Sequence, residues 1–240
     1  MQITTQAIRP YNVGFAIERE RYLRHAKEGI LPSQLEHLAY SLPWPVDMEA
    51  PLMHLGNFST PIEQIWQVVS ANNYDPDNIP NDIEPDNIDP LHMGIDIQSM
   101  PGAKVKAVES GIVTAFGRDT REQLKHLANI YVLSKSTNIT WSYSHLDFDS
   151  IPDKIKKHGD FFFDKNGPII EIEQDEFIGE IGPWKLDLIQ SLILEDVQNI
   201  YGKEFHHLDL SAMELDENGI SATQQIYFNP LLFLKKLYDF

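Results

Sequence analysis

The 240-residue chain contains no cysteine. Disulfides and thiolate zinc sites are therefore excluded, and any metal must be held by imidazole, carboxylate or carbonyl groups. Basic residues are scarce: Lys and Arg total 19 against 36 Asp and Glu, for a formal charge of -17. Such a surface repels a nucleic-acid backbone, and no basic patch offsets it. It favours cationic partners or divalent metals. No apolar run reaches the length of a membrane span, and the start, MQITTQAIRPYNVGFAIERERYLRH, lacks the apolar centre of a signal peptide. Also missing are a Walker loop, a dinucleotide-binding glycine fingerprint, HExxH and a G-x-S-x-G elbow. No spacing singles out a pair of glycosidase carboxylates.

What is present supports a full core, since 42% of the residues are hydrophobic. The stretch AIERERYLRHAKEGILPSQLEHLAYSL reads as two short helices broken near Gly29 and Pro32. LPWPVDMEAP is irregular, and PIEQIWQVVSA is a strand or a short helix. Residues 72–90 are acidic and punctuated by proline, with PDNI occurring twice, and form a loop. This loop lacks the spacing, glycine and final glutamate of an EF-hand. From 91 the texture changes to short alternating segments: MGIDIQ, AKVKAVESGIVTAF, NIYVLSKS, NITWSYSHLDF, PIIEIEQ and FHHLDLSAMEL. They predict a mainly antiparallel β domain with one polar and one apolar face. WKLDLIQSLILEDVQNIYG has helical spacing and predicts an inserted helix near 184–200. The expected organisation is an N-terminal extension over 1–90, partly helical and ending in the acidic loop, followed by a β domain over 91–234.

Two stretches carry candidate chemistry, LHMGIDI and EFHHLDLS. His92 and Asp96 share parity, but in an ideal strand they lie about 13 Å apart and converge only if the chain turns at Gly94. His207 and Asp209 share parity about 7 Å apart, with His206 on the other face. By spacing alone each pair is compatible with a metal site or with ordinary surface sequence. Trp141 and Tyr143 share parity with His145, as core residues or as walls of a substrate groove.

Taken in order, LHMGIDI, GAKVKAVESGIVTAF, WSYSHLD, FIGEIG, HHLDL and NPLLFL resemble the lysostaphin-type zinc endopeptidases. The resemblance runs from 92 to 234. It implies an antiparallel sheet of the duplicated-hybrid-motif type and hydrolysis of peptide bonds in peptidoglycan. It also implies a bacterial periplasmic or cell-surface location, although the start leaves the cytoplasm open. His92 and Asp96 match the first two metal ligands. His145 and His207 match the catalytic histidines. Asp209 stands where the family has its third ligand, a histidine.

That departure has a chemical consequence. Two carboxylates and one imidazole nearly neutralise a dication, so bound water acidifies less and oxygen-preferring Mn, Mg or Ca compete with Zn. A second departure is the 24-residue span between Gly182 and His207, where the family has a short loop. Two functions follow as expectations. One is a divergent metallopeptidase. The other is a catalytically inactive domain of the same fold that binds a protein partner, a cationic one by charge, or cell-wall material.

Overall fold

The computed structural model describes residues 31, 33–46, 54–55, 94–119, 124–162, 167–183, 206–214 and 226–236. His92, the acidic loop at 72–90, the expected helix near 184–200 and the first expected helix lie outside these residues.

The strands are β1 (His54–Leu55), β2 (Gly94–Gln98), β3 (Lys104–Lys106), β4 (Gly111–Arg118), β5 (Leu127–Ser134) and β6 (Thr140–Asp147). They continue with β7 (Phe161–Phe162), β8 (Glu171–Ile172), β9 (Phe177–Glu180), β10 (His207–Glu214) and β11 (Ile226–Phe228). One antiparallel sheet runs in the order β1-β2-β10-β6-β5-β4-β7, with β11 beside β10 and β8 beside β4. β3 and β9 form a separate pair. The mainly antiparallel β architecture is the one expected. Helix among the described residues is short: 3-10 turns at Ser33–Leu38, Phe148–Ser150 and Pro230–Leu232, and α1 (Asp153–Lys156).

Period-two alternation produces the two faces. On β2, β10 and β6 the inward set is Ile95, Ile97, Leu208, Leu210, Ala212, Trp141 and Tyr143, all buried. Their register neighbours point the other way: Gly94 and Asp96 on β2, His207, Asp209 and Ser211 on β10, Ser142 and Ser144 on β6. The core joins the inward set to Val105, Ile178 and Ile181 around the β3–β9 pair and to Phe233 near the C-terminal end. Phe233 meets Trp141 edge-on at 5.6 Å between ring centroids.

The described part of the N-terminal ninety residues shares this core. Leu31, Leu35, Leu42, Trp44 and Val46 belong to the same buried cluster. Leu42 bridges Leu234 in parallel, Val46 bridges Val105, and β1 pairs with β2 at the edge of the large sheet.

Candidate active site

The sheet order brings together residues that are far apart in sequence. β10 lies between β2 and β6, so Asp209 is the direct partner of Asp96 on one side and of Ser144 on the other. Directly opposed side chains in an antiparallel pair have Cβ atoms about 4.5–5.5 Å apart, and like charges there are destabilising. The two carboxylates therefore form a locus of concentrated negative charge. Two residues back along β10, His207 turns its ring to the same side, with Nε2 3.7 Å from Asp96 Oδ1. His207 is buried, and Asp96 is partly exposed.

Gly94 makes this arrangement possible, in a way different from the one expected. It is the first residue of β2, and its φ lies outside the left-handed region, so it supplies no turn of that kind. Its contribution is the missing side chain. A Cβ at 94 would lie 2.4 Å from Asp209 Oδ1, 2.6 Å from Ser211 Oγ and 2.7 Å from the Leu210 carbonyl oxygen. The Asp209 carboxylate rests in the space that only glycine leaves.

His145 reaches the same place through a break in β6. Register along β5 and β6 passes from Ala128↔Leu146 to Ile130↔Tyr143, so Asn129 faces both Ser144 and His145. That is a β-bulge. His145 has φ 68°, a left-handed conformation that costs a non-glycine residue on the order of 1–3 kcal/mol. The His145 N–H donates to Asn129 Oδ1 at 3.4 Å, and its carbonyl accepts from the Gly182 N–H at 2.9 Å. Leu146 bridges Ile181 beside this contact. The His145 ring then meets the His207 ring edge-on, centroids 4.7 Å apart. Simple alternation would have grouped His145 with Trp141 and Tyr143. The bulge corrects that grouping.

Trp141 and Tyr143 are core residues with no exposed surface, so of their two expected roles the structure takes the first. Trp141 Nε1 donates to Glu109 Oε2 at 2.7 Å, and the Tyr143 hydroxyl accepts from the Val108 N–H at 2.8 Å. Burial pushes the Tyr143 phenol far above its ordinary range, against the Val108 hydrogen bond and with the Glu109 charge adding to the rise. His206, immediately before β10, is buried, and its carbonyl accepts from the Ser99 N–H at 3.2 Å.

Asn129 and Ser211 border the site and were not singled out from the sequence. Asn129 lies in a strand whose pattern says only that it faces away from the core. The Ser211 signal is its parity with His207 and Asp209.

Whether this arrangement suits a metal turns on its donors. Two facing carboxylates, one seated over a glycine, fit two ligands of a divalent cation, whose charge would offset their repulsion. Among the described residues no group of three or more His, Asp or Glu is gathered closely enough to hold an ion by itself. The remaining expected ligand, His92, lies outside them.

No family model matches the chain, and no curated protein matches it. Solved structures do. The chain is similar to Helicobacter pylori Csd3 at 12% identity and a TM-score of 0.41, covering 82% of this chain and 36% of that one. It is similar to the catalytic domain of the antimicrobial peptidase lysostaphin from Staphylococcus simulans at 18% identity and a TM-score of 0.39, covering 79% and 95%. It is also similar to a peptidase M23 candidate from Pseudomonas aeruginosa at 16% identity and a TM-score of 0.37, covering 91% and 60%. The chain thus spans little more than a third of the length of Csd3.

Proposed function

We propose that this chain is a divergent metal-dependent peptidase that hydrolyses a peptide bond by attack of water, with peptidoglycan peptides as the substrate class. The observation that supports it is the gathering, on one face of three neighbouring strands, of Asp96, Asp209, His207 and His145. Two carboxylates to hold a metal ion and two imidazoles to move protons are a set of groups that can carry amide hydrolysis. His92, Asp96 and Asp209 are assigned as the ligands of one divalent cation, zinc first, with Mn, Mg or Ca admitted by the oxygen-rich set. When bound, that ion would supply polarisation of the scissile carbonyl and a more acidic water.

The protein's own groups handle the protons. An unperturbed imidazole titrates near 6.5, so one of His145 and His207 accepts the proton of the attacking water while the other donates to the leaving amide nitrogen. Their edge-on contact keeps both at one locus. Asp96 Oδ1 faces His207 Nε2 at 3.7 Å.

The second reading is a catalytically inactive domain of this fold that binds a protein partner or cell-wall material. It is favoured by Asp209 itself, because two carboxylates weaken the electrophilic character of any ion between them.

Metal content and cleavage separate the two readings. Protein purified without chelator is expected to carry close to one divalent ion, and Asp209→His to bind zinc more tightly. The metal-loaded protein should release new amino termini from peptidoglycan fragments or glycine-rich peptides. His145→Ala and His207→Ala should each lower that rate by about 100- to 10,000-fold without loss of metal. Absence of cleavage by both the metal-loaded protein and Asp209→His hands the case to the binding domain. Absence of metal from both removes the metal site as well.

A further inference from the structure

We infer that Asn129 is the positioning residue for His145, holding the His145 amide with its side chain across the β5–β6 bulge. The inference rests on the reading of His145 as a proton-transfer group and adds to it the device that aims the ring. Two residues of β6, Ser144 and His145, face the single residue Asn129 of β5. A bulge of this kind disrupts the ladder locally. At this break the His145 N–H donates to Asn129 Oδ1 at 3.4 Å.

From the other side, the Gly182 N–H donates to the His145 carbonyl. Gly182 has to be small to do so: a Cβ there would sit 2.3 Å from Leu127 Cδ2 and 3.1 Å from the same carbonyl oxygen. The His145 peptide groups are thus held at both ends, and its left-handed φ of 68° is fixed between them. A residue in that region returns to the β region when nothing holds it, because the β region is lower in energy. In a regular strand His145 would follow the parity of Trp141 and Tyr143, into the core side and away from His207. The amide oxygen of Asn129 therefore decides on which face the ring appears.

The side chain at 129 is suited to this task. It lies on the outward face of β5 with Tyr131, since Ala128 and Ile130 fill the core. Leucine has nearly the same size and no acceptor. Aspartate keeps the acceptor.

The test uses the full chain with isotope-labelled histidines and measures the nuclear Overhauser contact between the His145 and His207 rings, together with hydrogen exchange at the His145 amide. Neither readout needs catalytic activity. With an unchanged far-UV circular dichroism spectrum, Asn129→Leu is expected to lose the ring–ring contact and to speed exchange at the His145 amide at least about tenfold, as one lost hydrogen bond implies. Asn129→Asp should retain both. Retention of the ring–ring contact in Asn129→Leu overturns the inference. If Asn129→Leu does not fold, the unmodified protein decides. A protected His145 amide with a contact to the Asn129 side chain supports the inference, and an unprotected amide overturns it. Loss of the ring contact in Asn129→Leu, in a protein that cleaves nothing, would count against the peptidase reading alone.

Discussion

At Gly94 an added methyl group has nowhere to go. Its three nearest neighbours include the Leu210 carbonyl oxygen, a backbone atom of β10 that cannot rotate away, and Asp209 Oδ1. Gly94→Ala must therefore push β2 from β10 or swing the Asp209 carboxylate off its seat. Overpacking of this kind typically costs about 1–3 kcal/mol. The expected outcome is a lower denaturation midpoint together with weaker zinc binding, read by urea titration and calorimetry. A variant with unchanged stability and unchanged affinity would show that Asp209 does not depend on this glycine. At this scale much was legible. Alternation alone puts Asp96, His207 and Asp209 on outward faces. The value of Gly94 was misread as a matter of backbone angle, because a sequence does not show which strand lies alongside. Nor does alternation reveal His145, since a left-handed residue in the middle of a strand has no local composition signal when it is not glycine.

Strands and turns are tied by polar contacts beneath the site, and those contacts make the element scale sensitive to pH. The Tyr143 hydroxyl on β6 accepts from Val108 N–H, and Trp141 on the same strand donates to Glu109. Glu109 also accepts from Ser134, Ser136 and Thr137, so a single buried carboxylate fastens the β5–β6 turn to the 107–110 segment. The folded state holds the Tyr143 phenol neutral well above its ordinary range, chiefly because the ring is buried. In the unfolded chain it ionises near 10. The group's contribution is therefore fully present below about pH 10 and is lost as pH climbs towards the raised folded value, at up to about 1.4 kcal/mol per pH unit. Tyr143→Phe removes that slope and leaves a buried N–H at Val108, costing about 1–3 kcal/mol near neutrality. The penalty of the variant, measured by urea denaturation at pH 8 and again at pH 11, should shrink at the higher pH. Equal penalties at both values would mean that the phenol ionises in the folded protein as it does in water. The strands themselves were readable from the alternating segments between turns. The 3-10 turn at Pro230–Leu232, capped by the Asn229 side chain, lies in the NPLLFL stretch that carried part of the family resemblance. The Glu109 cluster was not readable, because its members are scattered over three segments and meet only when β5 and β6 pair.

Over the whole molecule, the segment at 31–46 joins parts of the chain that are almost two hundred residues apart. The Tyr40 and Leu42 N–H groups donate to the Leu232 and Phe233 carbonyls, and the Lys235 N–H returns a bond to the Leu42 carbonyl. Trp44 Nε1 donates to the Lys235 carbonyl at 2.8 Å, and the Lys106 N–H donates to the Pro45 carbonyl at 2.7 Å. The segment thus runs from the C-terminal end of the sheet to the β3–β9 pair, and its apolar side chains complete the core between them. Composition could not reveal this, since LPWPV reads as irregular and gives no sign of its distant partners. If the segment were a detachable extension, its removal would leave the sheet intact. The packing argues otherwise. Trp44→Ala should cost about 3–5 kcal/mol, as truncation of a large buried aromatic does. Deletion of residues 1–46 should abolish cooperative unfolding, because the core faces of Phe233, Leu234 and Val105 would then meet water. Thermal melts followed by circular dichroism, with the far-UV and near-UV signals compared, check both. A truncated protein that melts cooperatively at the same temperature would make 31–46 a dispensable cover, and the core would have to be drawn without it. A truncated protein that keeps its far-UV signal but loses its near-UV signal would show that the strands form without their fixed packing. In that case the site should fail as well, because β2, β10 and β6 hold Asp96, Asp209 and His207 in register only while their inward residues are packed.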